Sequence, residues 1–208
     1  DGTNFDFDPA GIRVHNRQVV TKMPGSALLL AGGASKRMGT DKRYLELDGS
    51  TMISRAYESL CTLFDEVIVS SNDVPEGIPA GVVVEERYPG TGPIGGIAAG
   101  FKAANGETVF VSACDIPSVD IALLAMLYRN LDGNDIVVPM GANGRHETLF
   151  ALYRRSVVSV LDQLVADGDY RIRMAFNRVV TQRIAIPRGV DLRNINTRAD
   201  YERIVDRR

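Results

Sequence analysis

Apolar and polar positions follow two rhythms along this chain, and each change of rhythm marks an element. Residues 27–31 form a short unbroken apolar run, the mark of a strand buried on both faces. Residues 51–64 instead place apolar side chains at 53, 56, 57, 60 and 64, the spacing of one helical face. The same reading predicts strands at 66–71, 82–86, 108–114, 135–140, 147–154 and 182–187. It predicts helices at 94–104, 120–131, 156–166 and 198–205, with a short helix inside 169–179. Ser118 or Asp120 is the N-cap candidate of the 120–131 helix. A short strand at 45–47 ends in the turn Asp48-Gly49. Ahead of all this, residues 12–20 suit a short strand or edge hairpin, and Pro24-Gly25 closes the segment as a turn.

Strands alternating with helices make an α/β fold. Near-continuous apolar strands call for a mostly parallel sheet in three layers, with helices on both faces. In such sheets ligands sit beyond the carboxyl ends of the strands. Three stretches fall there: the loop at 32–42, the turn after Glu86 and the segment after Cys114. Residues 1–26 read as an N-terminal extension or linker. Residues 27–208 read as a single domain without internal repeats.

Composition narrows the class. The net charge of −2 over 208 residues argues against a general nucleic-acid binder. The charge is uneven, however. Residues 1–138 carry 11 Lys and Arg against 18 Asp and Glu, whereas residues 139–208 carry 13 Arg, no Lys and 8 acidic residues. Arginine suits bidentate recognition of phosphate or carboxylate. Cys61 and Cys114 have neither disulfide-framework nor metal-ligand spacing, so a reducing, cytoplasmic compartment is expected. No apolar run approaches the ~20 residues of a membrane span, and no signal peptide is visible. Asp1 in place of Met points to a trimmed product.

The chemistry concentrates in LLLAGGASKRMGTDK, residues 28–42. A buried strand empties into Gly32 and Gly33, where the absence of Cβ lets an anion approach the main chain. Lys36, Arg37 and Lys42 add positive charge, so the loop suits a triphosphate, although its spacing is not that of a P-loop. Asp115 ends another buried strand, where a carboxylate could hold Mg²⁺ together with substrate phosphates. Residues 90–95, GTGPIG, match a dinucleotide fingerprint with Asp115 in the position of the acidic residue, and so leave a NAD-dependent oxidoreductase as the alternative. Arg87-Tyr88-Pro89 ahead of Gly90 and the stiffness of Pro93 count against that alternative.

In order along residues 27–205, LAGGASKRMGTDK, ERYPGTGPIGGI, ACDIP and NINT resemble the molybdenum cofactor guanylyltransferases. The resemblance implies a three-layer, Rossmann-like fold of the nucleotide-diphospho-sugar transferase kind. Its nucleotide-binding half would be about 27–140 and its acceptor-side half 141–208. It implies that Leu30, Ala31, Gly32 and Gly33 hold a guanine nucleotide, that Lys42 neutralises triphosphate charge, and that Asp115 is the Mg²⁺ ligand. Ser70 or Asn72 falls at a polar nucleotide contact. Glu86 stands where the family has an aspartate near the base. Asn194 and Asn196 match acceptor-side asparagines, and Arg198 replaces a usual proline. The implied substrates are GTP and molybdenum-molybdopterin, with other proteins of cofactor assembly as partners and neither nucleic acid nor membrane. From charge and position alone, Arg37 joins Lys42 at the leaving pyrophosphate, and Arg171 and Arg173 meet the acceptor phosphate. His146 stands as a pocket residue or a surface polar group. A cytidylyl or sugar-phosphate transferase on the same fold stays open, as does a non-catalytic nucleotide-binding subunit.

Overall fold

The first strand, β1 (Ser26–Leu30), is buried along its whole length, because its side chains serve two cores at once. Ala27 and Leu29 point into one cluster, and Leu28 and Leu30 into the other, the alternation expected of a strand between two helical layers. The computed structural model describes residues 22–32, 41–47, 49–85, 88, 90–116, 118–190 and 192.

After β1, a 3₁₀ turn at Lys42–Tyr44 leads to a small hairpin of β2 (Glu46–Leu47) and β3 (Ser50–Thr51). Helix α1 (Met52–Leu63) starts on Thr51, whose Oγ1 accepts from Ser54 N at 3.3 Å. The chain then runs through β4 (Glu66–Ser70), β5 (Val83–Val84), α2 (Pro93–Ala103), β6 (Thr108–Ala113), α3 (Ile121–Arg129), β7 (Ile136–Met140), β8 (Phe150–Arg154), α4 (Val158–Ala166) and β9 (Thr181–Ala185). Asp120 caps α3, accepting from Leu123 N at 2.8 Å.

The described strands form a seven-stranded sheet ordered β5-β4-β1-β6-β8-β7-β9. Helices α1 and α3 cover one face; α2 and α4 cover the other. Strand β1 is the switch point: the chain first adds strands on its β4 side and then crosses to β6, which opens a crevice at the carboxyl ends of β4, β1 and β6.

Among the described residues the expected elements stand, with shifts. The strand expected at 82–86 shrinks to two residues at the sheet edge. The one expected at 147–154 begins at Phe150, because Phe150 N bonds Glu147 O in a turn. The short helix inside 169–179 is 3₁₀, Ile172–Asn177. Strand β8 runs antiparallel to both neighbours, since the short glycine-bearing connection from β7 has no room for a crossover helix. Residues 22–26 lie against the domain: Met23 is buried, and its N–H bonds Leu63 O at 2.7 Å. The segment 12–20 and the helix 198–205 lie outside the described residues.

Candidate active site

Register places the site. Leu30 of β1 pairs with Ser70 of β4 on one side and Ala113 of β6 on the other. Gly32 follows β1 and Asp115 lies in the turn after β6 that Ile116 N closes on Ala113 O, so both sit at the carboxyl ends of these neighbouring strands. Main-chain bonds fasten this end: Ala31 N to Ser70 O at 2.9 Å, Cys114 N to Leu30 O at 3.1 Å, and Ile116 N to Ala113 O at 3.0 Å.

Asp115 is the chemically exceptional group. Its Oδ1 is buried without a hydrogen-bond partner among the described residues. Burial pushes its carboxyl above the usual carboxylate range; the nearby Lys42 charge pulls it back and the Glu147 charge pushes it up again. The charges of Lys42 and Glu147 both reach Asp115. Sequence reasoning missed Glu147. The β6–β8 ladder ends at the Ser112–Phe150 pair, and Asp115 and Glu147 lie in the turns just beyond that end on the two chains. A buried carboxylate oxygen without a partner among the described residues, within reach of a second carboxylate's charge, fits a hard divalent cation. Neighbouring Cys114 is pushed up to about 12, by burial first and then by the Asp115 charge, so it stays a thiol at neutral pH and is no nucleophile.

Lys42 heads the 3₁₀ turn that follows the glycine loop. Asp41 caps that turn, its Oδ1 accepting from Arg43 N at 3.0 Å. Arg43, which the motif reading passed over, is forked between Asp41 and Asp73, and its guanidinium lies 5.4 Å from the Tyr44 ring centre. Asn72 is exposed in the loop after β4. Ser70 is buried, and its Oγ has no partner.

Helix α2 runs back from the same end. Its N-cap, Gly92, has φ 72°, and Pro93 follows at the first helical position, an arrangement that only a residue without Cβ adopts at no cost. A Cβ on Gly96 would lie 2.8 Å from Ser70 Oγ and 3.1 Å from Leu30 Cδ2. The helix start therefore sits directly over the ends of β4 and β1. Thr91 Oγ1 donates to Tyr88 O at 2.6 Å, and Tyr88 OH bonds Asp162 of α4 at 3.1 Å. The dinucleotide alternative fails on position, because GTGPIG follows the edge strand β5 and not the central β1.

On the far side of β8, His146 bridges to Met140 at the end of β7. Its ring meets Phe176 edge-on at 5.3 Å, and its Nε2 is buried without a partner. Burial, then the Arg183 charge, holds His146 below the usual imidazole range. Arg171 and Arg173 are exposed around the start of the last 3₁₀ turn. Arg171 pairs with Asp169 at 2.6 Å. Gly33, Arg37, Glu86, Asn194 and Asn196 lie outside the described residues, as does Lys36.

Residues 27–183 match the MobA-like NTP transferase domain. The chain belongs to that family. Among MobA-like relatives, it is 37% identical over 158 residues to a protein of Chloroflexus aggregans named "Probable molybdenum cofactor guanylyltransferase", covering 72% of this chain and 75% of that one. It is 30% identical over 189 residues to the "Molybdenum cofactor guanylyltransferase" of Syntrophotalea carbinolica, covering 86% and 90%. In structure it resembles the molybdopterin-guanine dinucleotide biosynthesis protein A of Archaeoglobus fulgidus. The TM-score is 0.73 at 24% identity, with 88% of this chain and all of that one covered. The MobA-like match sets the oxidoreductase alternative aside and makes the chain a nucleotidyltransferase.

Proposed function

We propose that this chain transfers GMP from GTP to the phosphate of molybdenum-molybdopterin, releasing pyrophosphate and forming the guanine dinucleotide form of the cofactor. The observation that carries the reading is Asp115: its buried Oδ1, without a partner among the described residues, lies at the same end of the central strands as Gly32 and feels the charge of Lys42, in a chain whose relatives bear that name. In this reading the bared main chain at Leu30–Gly33 takes the nucleotide phosphates. Of the pair Ser70 or Asn72, Asn72 contacts the nucleoside, since the Ser70 hydroxyl is sealed beneath Gly96; Glu86 lies toward the base.

An acceptor phosphate oxygen, already anionic, attacks the α-phosphorus of GTP. The new O–P bond forms as the bond to the bridging oxygen of pyrophosphate breaks, and that oxygen leaves with the electron pair. No general base is needed, so catalysis rests on positioning and on charge neutralisation. Lys42 and Arg37 offset the charge that builds on the leaving pyrophosphate. Asp115, with Glu147 nearby, would hold Mg²⁺, which supplies Lewis-acid stabilisation of phosphate charge when bound. Among the described residues no three His, Cys, Asp or Glu side chains gather as a ligand set, in keeping with a cation that takes its remaining ligands from phosphates and water. Arg171, Arg173, Asn194 and Asn196 are assigned to the acceptor. Cys61 and Cys114 are free thiols, and the reading places the reaction in the cytoplasm.

Turnover of Asp115→Asn tests the assignment. It should fall by roughly a hundredfold or more with an unchanged melting curve, and competition should show GTP preferred over CTP, ATP and UTP. Near-normal turnover would remove Asp115 from the mechanism, and a preference for CTP would change the product.

A further inference from the structure

Arg43 bonds two carboxylates that come from different parts of the chain. Toward Asp41, its Nε lies 2.9 Å from Oδ2 and its Nη2 2.7 Å from the same oxygen. Toward Asp73, 30 residues away, Nη1 lies 2.5 Å from Oδ1 and Nη2 3.0 Å from Oδ2. Nη1 also donates to Ser71 Oγ at 3.1 Å, and Ser71 Oγ donates to Asp73 Oδ1 at 2.8 Å. The Arg43 side chain is only 15% exposed. Its bonds hold the carboxyls of Asp41 and Asp73 below the usual range.

The clamped residues alternate with the proposed nucleotide contacts. Asp41 and Arg43 flank Lys42; Ser71 and Asp73 flank Asn72. One guanidinium therefore fastens the chain leaving the glycine loop to the chain leaving β4, with Lys42 and Asn72 carried between pinned neighbours. A lysine at 43 could not replace it, because a single ammonium lacks the planar fork that spans two carboxylates.

We propose that Arg43 is a positioning residue for the nucleotide. By bridging Asp41 and Asp73 it fixes the segment that carries Lys42 against the segment that carries Asn72, at the end of the sheet where the crevice opens. This deepens the nucleotidyltransferase reading and rests on it.

The test is a double-mutant cycle read by calorimetric titration of GTP and by steady-state kinetics, on wild type, Lys42→Ala, Arg43→Ala and the double variant. Arg43→Ala should weaken GTP binding by roughly tenfold or more. It should raise the KM for GTP while leaving the KM for the acceptor unchanged, and Arg43→Lys should not rescue it. The double variant should fall well short of the product of the two single losses, since one residue acts through the other. The proposal is overturned if Lys42→Ala loses GTP affinity while Arg43→Ala stays within about twofold of wild type. It is equally overturned if the two losses multiply in the double variant. Unchanged GTP affinity in Lys42→Ala would instead strike down the triphosphate grip itself, and the clamp's role with it. Should Arg43→Ala lose its cooperative melt, Asp73→Asn takes its place in the cycle under the same expectations.

Discussion

Tyr153 shows how a single side chain can set the shape of the site from below. Its ring is fully buried in β8 against Phe101, and its hydroxyl donates to Thr148 O at 2.7 Å, one residue from Glu147. Tyr153→Phe removes that donor and leaves a carbonyl unmet in the turn that carries Glu147. Stability should drop by about 1 kcal/mol, checked by urea denaturation, with the fold kept. At this scale the sequence is legible where chemistry is local: Asp115 and Lys42 each sit inside a motif that declares them. Arg43 and Glu147 were hidden because their meaning lies in a partner far along the chain. Asp73 comes from another loop, and the charge of Glu147 reaches Asp115 from the far side of the β6–β8 ladder's end.

At the scale of elements, α2 is the least tolerant piece. Its glycines let the helix lie flush on β1 and β4, and Gly96 touches the strand ends that open into the crevice. Gly96→Ala forces Ser70 and Leu30 aside. The expected cost is about 1–3 kcal/mol, as for an overpacked core, read as a lowered denaturation midpoint, and GTP affinity should fall with it because the helix start moves. The helices and most strands could be read from periodicity, since each buries one face or two. The sense of β8 could not be read from its own residues, which look like those of any buried strand. The signal lay in the connection at 141–149, where Gly141 and Gly144 close a turn through Gly144 N to Gly141 O at 2.9 Å.

Across the whole molecule, one carboxylate at the foot of the sheet ties three elements together. Glu66 begins β4, accepts from Ser26 Oγ of β1, and accepts from Asn105 N at 2.9 Å just after α2. Burial raises its carboxyl, but the bonds from Ser26 and Asn105 outweigh burial, and the net shift is downward from 4.5. A group lowered in the folded state contributes stability above its unfolded value, and that contribution is lost as pH falls through the folded one. The melting temperature should therefore decline between about pH 5 and about pH 3, more steeply in wild type than in Glu66→Gln. A pH-independent difference between the two proteins would reject this account. Strand order was the least legible property at this scale, because nothing in β6 or β7 announces that a later strand will separate them.

That late arrival bears on how the polypeptide can be divided. A fragment ending at Met140 would present β6 and β7 as neighbours in sequence with no ladder between them, since each pairs instead with β8. The nucleotide-side residues and the acceptor-side residues are therefore not detachable modules. The keystone is made after the stones it joins, so a ribosome must pass Arg154 before β6 and β7 belong to one sheet.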